Sequence, residues 1–206
     1  EVESALEETG ATVLYVESIS NPLLKVADIP TLAELAHRHN ASLLVDNTFA
    51  SPYLLNPLGH GADYVIHSAT KYLAGHGDVL AGVVAASLAN KTKLFELNKL
   101  IGSVLGPFEA WLALRGLKTL PLRMRQQCDN ALKAAQWLRA HPRIKKVHYP
   151  GLADDLQHEL AKRLFGSRGF GGVLSFEIDG ADKDRVFRFM ESLKICLPAT
   201  TLGDIY

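Results

Sequence analysis

Cysteine is scarce in this 206-residue chain: Cys128 and Cys196 stand far apart and are the only two. That is too few for a disulfide framework or a zinc ribbon, and it suits a reducing compartment. No excess of either charge exists, since 22 Lys and Arg balance 22 Asp and Glu. A neutral chain without a basic run lacks the electrostatic footprint of a nucleic-acid or anionic-membrane binder. No apolar stretch approaches ~18 uninterrupted residues, the length of a membrane span. Internal repeats, low-complexity linkers and a signal-peptide pattern are missing as well. The chain also lacks an initiator methionine. It opens at Glu1 in the helix-like EVESALEETG and stops at Tyr206 in the loop-like ATTLGDIY, and so reads as a piece of something longer. What is abundant is apolar: 48% of residues against 21% charged, the balance of a globular protein.

Those apolar residues fall into short runs. TVLYVES (12–18), SLLVDNT (42–48), DYVIHSA (63–69) and VLAGVVAA (79–86) read as buried strands. A helix ending at Gly10 precedes the first, and a helix over 27–40, opened by Asp28 and Pro30 and stopped by Asn40, separates the first two. Apolar strands alternating with helices predict a largely parallel sheet covered on both faces. The crossover from 48 to 63 is expected to be irregular, because it holds Pro52, Pro57 and Gly59. From 91 onward the pattern turns α+β. Two helices are followed by a long one over 122–141, then strand, helix, strand and helix, which places a division between 1–122 and 123–206. Trp111, Leu112, Leu114 and Leu117 read as helix core.

Residues 67–78, HSATKYLAGHGD, carry the chemistry. A strand runs there into a glycine-rich turn, and open α/β sheets bind ligands at the C-terminal ends of their strands. The hydroxyls of Ser68 and Thr70 suit phosphate oxygens, and Gly75 and Gly77 allow close backbone approach. Lys71 follows at once, and a lysine in such a place can supply the neutral amine that Schiff-base chemistry requires. Alone, an S-x-T-K is more often a surface lysine after a strand. Asp46 ends the preceding apolar strand, where a carboxylate is either a cap or the partner of a cation. An acid and an amine on neighbouring strand ends can hold opposite sides of one ring. Pyridoxal phosphate needs that pair, a lysine for its aldehyde and an aspartate at its pyridine nitrogen. Elsewhere the chain offers less. GSRGFGG (166–172) has the reverse of a dinucleotide-loop order and reads as a flexible turn. His37 and His39 are on different helix faces, so no metal site is expected, and the two thiols read as core or surface groups.

VLYVES-IS-NP, LLVDNTFASPYL, GADYVIHSATKYLAGHGDVLAGVV and RGLKTLPLRM closely resemble the Cys/Met-metabolism family of pyridoxal-phosphate enzymes over essentially the whole chain. The resemblance implies an α/β fold of type I, aspartate-aminotransferase-like, followed by the start of an α+β C-terminal domain. It implies that Lys71 bonds the cofactor and that Asp46 keeps its ring nitrogen protonated. Ser68 and Thr70 would bind the phosphate, Asn21 would lie near the phenolic oxygen, and Thr48 would lie near the ring. Glu17 would stand behind these residues, and Thr201 would help position the lysine and the substrate carboxylate. Relatives read E-T-P-x-N-P where Ser18 and Ile19 stand here, which predicts a loop adjustment. They have serine at Thr201, so a tighter pocket is expected.

An uncharged residue at 200 followed by L-G-D tilts the reading toward methionine γ-lyase. Cystathionine γ-lyase, cystathionine γ-synthase and O-acylhomoserine sulfhydrylase are the alternatives, and a non-catalytic cofactor-binding module is the rival class. A cytoplasmic homotetramer acting on a small amino acid is implied, with no nucleic acid, membrane or metal. A ring-stacking tyrosine and a second phosphate loop would precede Glu1, and a carboxylate-binding arginine would follow Tyr206. The 206 residues alone are therefore expected to bind cofactor poorly and turn over little.

Overall fold

The computed structural model describes residues 1–205. Three short strands, β1 (Val13–Glu17), β2 (Ser42–Asp46) and β3 (Tyr64–Ser68), run parallel, and β4 (Gly82–Ala86) closes the sheet antiparallel to β3. The register pairs Glu17 with Asp46 and Asp46 with Ile66, so the C-terminal ends of the three parallel strands line one edge of the sheet. Alternation sorts their side chains. Leu43, Val45, Val65 and His67 are buried on one face, while Asp46 and Ser68 belong to the other.

The connections follow local chemistry. α1 (Val2–Thr9) stops at Gly10, whose φ of 61° is the left-handed turn that glycine adopts without strain. α2 (Ile29–Arg38) has Pro30 in its first turn and is followed by Asn40 at φ 55°. Ile29, Ala33 and Ala36 bury that helix against the face carrying Leu43 and Val45. The crossover to β3 is indeed irregular, with one turn of helix, α3 (Ser51–Leu54), and a 3-10 turn at Pro57–His60.

Two expectations need correction. Neither the run 12–18 nor the run 79–86 is wholly buried: Val13 and Tyr15 are 50% and 54% exposed, and Leu80 and Val84 of the opposite edge are 82% and 51% exposed. β1 is an edge strand, and α2 covers only the face that carries Leu43 and Val45. The helices α4 (Leu88–Ile101) and α5 (Pro107–Leu117) form where expected, yet α4 has no buried residue and α5 buries only Gly116. Trp111, Leu114 and Leu117 are exposed rather than core.

α6 (Leu120–Arg139) runs unbroken through the division at 122. Its first half, with Met124 and Cys128, joins Leu164 and Phe165 of α7 (His158–Phe165) in the main core. Its second half, with Ala131 and Ala135, packs on Tyr149 and Leu152. β5 (Ile144–His148) and β6 (Ser175–Ile178) form a separate antiparallel pair, and α8 (Lys183–Ser192) follows, capped by the Asp182 carboxylate on the Arg185 N–H at 2.9 Å. The glycine-rich segment 166–172 is packed, not loose. A Cβ on Gly169 would lie 2.7 Å from the Cys128 Cβ, and the Tyr149 hydroxyl donates to the Gly171 carbonyl at 2.9 Å. None of the described helices is long and apolar enough to cross a membrane.

Candidate active site

The segment after β3 is a tight hydrogen-bonded turn. The Ala74 N–H donates to the Ala69 carbonyl and the Gly75 N–H to the Lys71 carbonyl, and Gly75 ends the turn at φ 67°. Lys71 lies in it and donates from Nζ to the Thr201 hydroxyl at 3.0 Å. A second contact ties the same two segments: the Gly77 N–H donates to Asp204 Oδ1 at 3.1 Å. Gly203, at φ 85°, lies so close that a Cβ there would meet the Tyr72 backbone nitrogen at 2.8 Å. The sequence joins Lys71 to Thr201 by resemblance alone, and the structure brings them into contact.

A carbonyl that leaves such a turn without a backbone partner needs another donor if it is buried. Here Arg123 of α6 supplies one. Its Nη1 donates to the Tyr72 carbonyl at 2.8 Å, its Nη2 to the Gly116 carbonyl at 2.9 Å, and its Nε to the Thr119 hydroxyl at 3.0 Å. The side chain is buried, and burial lowers the guanidinium pKa while nearby Asp204 opposes that shift. Two glycines make room for this arrangement. A Cβ on Gly75 would sit 2.1 Å from Arg123 Nη1, and one on Gly116 would sit 2.1 Å from the Ala74 carbonyl oxygen. Sequence reasoning missed Arg123. Its signal, an arginine in RGLKTLPLRM, carries no meaning until the turn 51 residues earlier is folded against it.

Asp46 leaves the end of β2 on the open face. Its Oδ1 accepts from the Thr48 N–H at 2.9 Å and its Oδ2 from the Tyr15 hydroxyl at 3.1 Å. Both donors are neutral, and no cation pairs with Asp46 among the described residues. The Thr48 hydroxyl accepts from the Ser68 N–H at 2.8 Å and so straps the end of β2 to the end of β3. The Thr70 hydroxyl accepts from the Ala81 N–H at 3.0 Å, fixing the turn to the start of β4. Its own proton points elsewhere only at the cost of a weak 3.4 Å contact to the Ala81 carbonyl. The Ser68 hydroxyl has no hydrogen-bond partner among the described residues.

Glu17 and Asn21 meet directly, the Asn21 N–H donating to Glu17 Oε2 at 3.1 Å. The departures at 18 and 19 are absorbed as a folded-back loop. Ser18 and Ile19 are buried, and Ile19 bridges Val26. The loop is also held from the second half of the chain, through two hydrogen bonds between the Gln157 amide and the Val26 backbone at 2.9 and 2.7 Å.

His67 lies on the buried side of β3, behind this array. Burial lowers its pKa below the ordinary imidazole value, against the smaller opposite pulls of Asp46 and the Asn47 backbone. An unfolded histidine takes up a proton near pH ~6.5, but the folded one does so only at lower pH. Stability from neutral His67 is therefore fully present above that value and is lost as pH falls below it. Thermal unfolding measured from pH 7.5 down to 5 should show this decline, and His67→Gln should flatten it. An equally steep decline in that variant would contradict the assignment. His37, by contrast, pairs with Asp63 at 2.9 Å. His39 gathers with Glu3 and Glu7 within 4.8 Å at an exposed surface, where Glu3 also pairs with Arg38 at 3.1 Å.

The donor set fits pyridoxal phosphate. A carboxylate held by neutral donors and lacking a cation suits a protonated ring nitrogen, an amine resting on a hydroxyl suits the aldehyde carbon, and an unpartnered serine hydroxyl suits a phosphate oxygen.

Comparison with known proteins agrees. The profile of the family described as "Cys/Met metabolism PLP-dependent enzyme" matches residues 1–206. L-methionine gamma-lyase of Fusobacterium nucleatum subsp. polymorphum is 42% identical over 99% of this chain and 51% of its own length. Cystathionine beta-lyase of Lactococcus lactis subsp. cremoris is 46% identical over 97% of this chain and 51% of its own length. The crystal structure of cystathionine gamma-lyase from Lactobacillus plantarum, complexed with L-serine, superposes with a TM-score of 0.92 at 41% identity, covering 99% of this chain and 52% of that one. The chain thus spans about half the length of the curated relatives it matches.

Proposed function

The chain belongs to the Cys/Met metabolism PLP-dependent enzyme family, and we propose that it carries the lysine-bearing part of an enzyme that cleaves or replaces the Cγ substituent of a sulfur or O-acylated amino acid. The fold is the type I fold of those enzymes. Within it we assign residues 1–122 to the cofactor-binding domain and 123–206 to the start of the second. The observation that carries the reading is the pairing at neighbouring strand ends of an Asp46 carboxylate without a cation and a Lys71 amine held by Thr201.

Each residue has a task. Ser68 and Thr70 would receive the phosphate oxygens, and the turn's backbone is fixed for that by the Ala81 and Arg123 contacts. Asp46 would hold a proton on the ring nitrogen, its two oxygens steered by Thr48 and Tyr15. Thr48 would flank the ring, and Asn21, braced by Glu17, would face the phenolic oxygen. The bound cofactor supplies an electron-withdrawing ring that takes up the electron pair left at the substrate Cα. Lys71 would take the Cα proton as general base, with Thr201 keeping its amine aimed, and would then move a proton from Cβ. The Cγ–S or Cγ–O bond would then break, releasing a thiol or a carboxylate. Water completes methionine breakdown to 2-oxobutyrate, thiol and ammonia, whereas an incoming thiol gives replacement.

The methionine γ-lyase reading rests on uncharged Thr200 before Leu202-Gly203-Asp204. The 46% identity to a protein named cystathionine beta-lyase favours a second reading, cleavage of cystathionine at Cβ. The active form would be a cytoplasmic assembly of four copies. Assaying the full-length protein for 2-oxobutyrate from methionine, cystathionine and O-acetylhomoserine, and for pyruvate from cystathionine, separates these. Release of 2-oxobutyrate from methionine is expected. Pyruvate from cystathionine alone selects the second reading, and no 2-oxo acid from any of the three sinks both.

A further inference from the structure

Asp46 is hydrogen-bonded by a side chain, Tyr15, that lies in the VLYVES stretch. In the β1–β2 register Tyr15 pairs with Leu44, and Asp46 lies two residues further along on the same face. A long aromatic side chain reaches such a diagonal neighbour. The Tyr15 hydroxyl does so, donating to Asp46 Oδ2 at 3.1 Å. The other oxygen is held by the Thr48 N–H, a local backbone contact at 2.9 Å. Among the described residues Tyr15 is thus the side chain that hydrogen-bonds this carboxylate.

We propose that Tyr15 is a positioning residue that acts through Asp46, fixing the plane of its carboxylate and setting how strongly it holds a protonated ring nitrogen. The proposal rests on the functional reading above. A carboxylate has about four lone-pair positions, and one donor on each oxygen leaves the remaining ones directed away from both donors. Loss of the Tyr15 donor frees the carboxylate to rotate about its bond to Cβ, and the ring nitrogen then meets a less ordered acceptor. Tyr15 itself feels the carboxylate. Its phenol pKa is raised above the ordinary value, by burial first, then by Asp46 and more weakly by Glu17 on the same face of β1.

Tyr15→Phe in the full-length protein keeps the ring on the sheet and removes only the hydroxyl. The expected result is a roughly tenfold weaker affinity for pyridoxal phosphate and a displaced pH midpoint of the bound cofactor's visible band, with thermal unfolding of the cofactor-free protein unchanged. In an Asp46→Asn background the same change should add little, because the two side chains act as one unit. In the cofactor-free protein, Asp46→Asn should lower the Tyr15 phenol titration toward its ordinary value. Wild-type affinity and pH midpoint in Tyr15→Phe would overturn the proposal, as would an equal effect with and without Asp46. Failure of the unmutated protein to bind the cofactor would overturn the functional reading, and this proposal with it.

Discussion

Replacing Lys71 by alanine is expected to remove the visible absorbance of the cofactor-loaded full-length protein and to lower turnover by at least about 10³-fold. The loss is chemical rather than structural. The turn around residue 71 is held by backbone hydrogen bonds and by Arg123, none of which uses the lysine side chain. Truncation removes one amine and one contact, that to Thr201 at 3.0 Å. General bases contribute about 10²–10⁴-fold, and this one would also serve as the covalent anchor. Unfolding of Lys71→Ala should therefore follow that of the parent closely. A visible band unchanged by the substitution would end the assignment.

The second large effect concerns stability. Arg123→Ala would strip the Tyr72 and Gly116 carbonyls of a charged donor at 2.8 and 2.9 Å; Gly116 keeps the Thr119 N–H at 3.2 Å, but the buried Tyr72 carbonyl is left without a partner among the described residues. Hydrogen bonds to charged groups are worth about 1.5–3 kcal/mol, and an orphaned buried carbonyl costs about 1–3 kcal/mol. A loss of about 3 kcal/mol or more is expected, which for a chain of this size lowers the melting temperature by roughly 6–12 °C. Arg123→Lys should recover only part, because an ammonium cannot reach two carbonyls and the Thr119 hydroxyl as a planar fork does. Gly75→Ala should mimic the loss by pushing a methyl group against Nη1. Calorimetry of the three variants checks the order, and a melting temperature for Arg123→Ala within about 2 °C of the parent would contradict it.

Element type and order were legible in the sequence wherever local chemistry decides them. The apolar runs became β1 to β4, and Gly10 and Asn40 stand just past the ends of their helices. Burial was less legible. An apolar run shows that a strand prefers cover but not that its neighbours supply it, so Val13 and Tyr15 looked like core. Trp111 and Leu114 misled for the same reason. Of the proposed site, Ser68, Thr70 and Lys71 share one motif, so their nearness in space could be read directly from the sequence. The contacts made by Tyr15 and Arg123 could not. Each pairs with a partner 31 or 51 residues away, through a register or a helix packing that only the folded chain creates.

The contact between Lys71 and Thr201 spans 130 residues, and that between Gly77 and Asp204 spans 127. At roughly 5–20 residues per second, the ribosome needs on the order of ten seconds between delivering the lysine and delivering the threonine it hydrogen-bonds. β1, β2 and β3 can pair well within that interval. The parallel strands can thus pair before Thr201 exists, whereas the amine proposed as the catalytic group gains its hydroxyl partner only afterwards. A nascent chain halted just short of Thr201 would therefore hold the paired strands yet lack the hydroxyl on which the Lys71 amine rests.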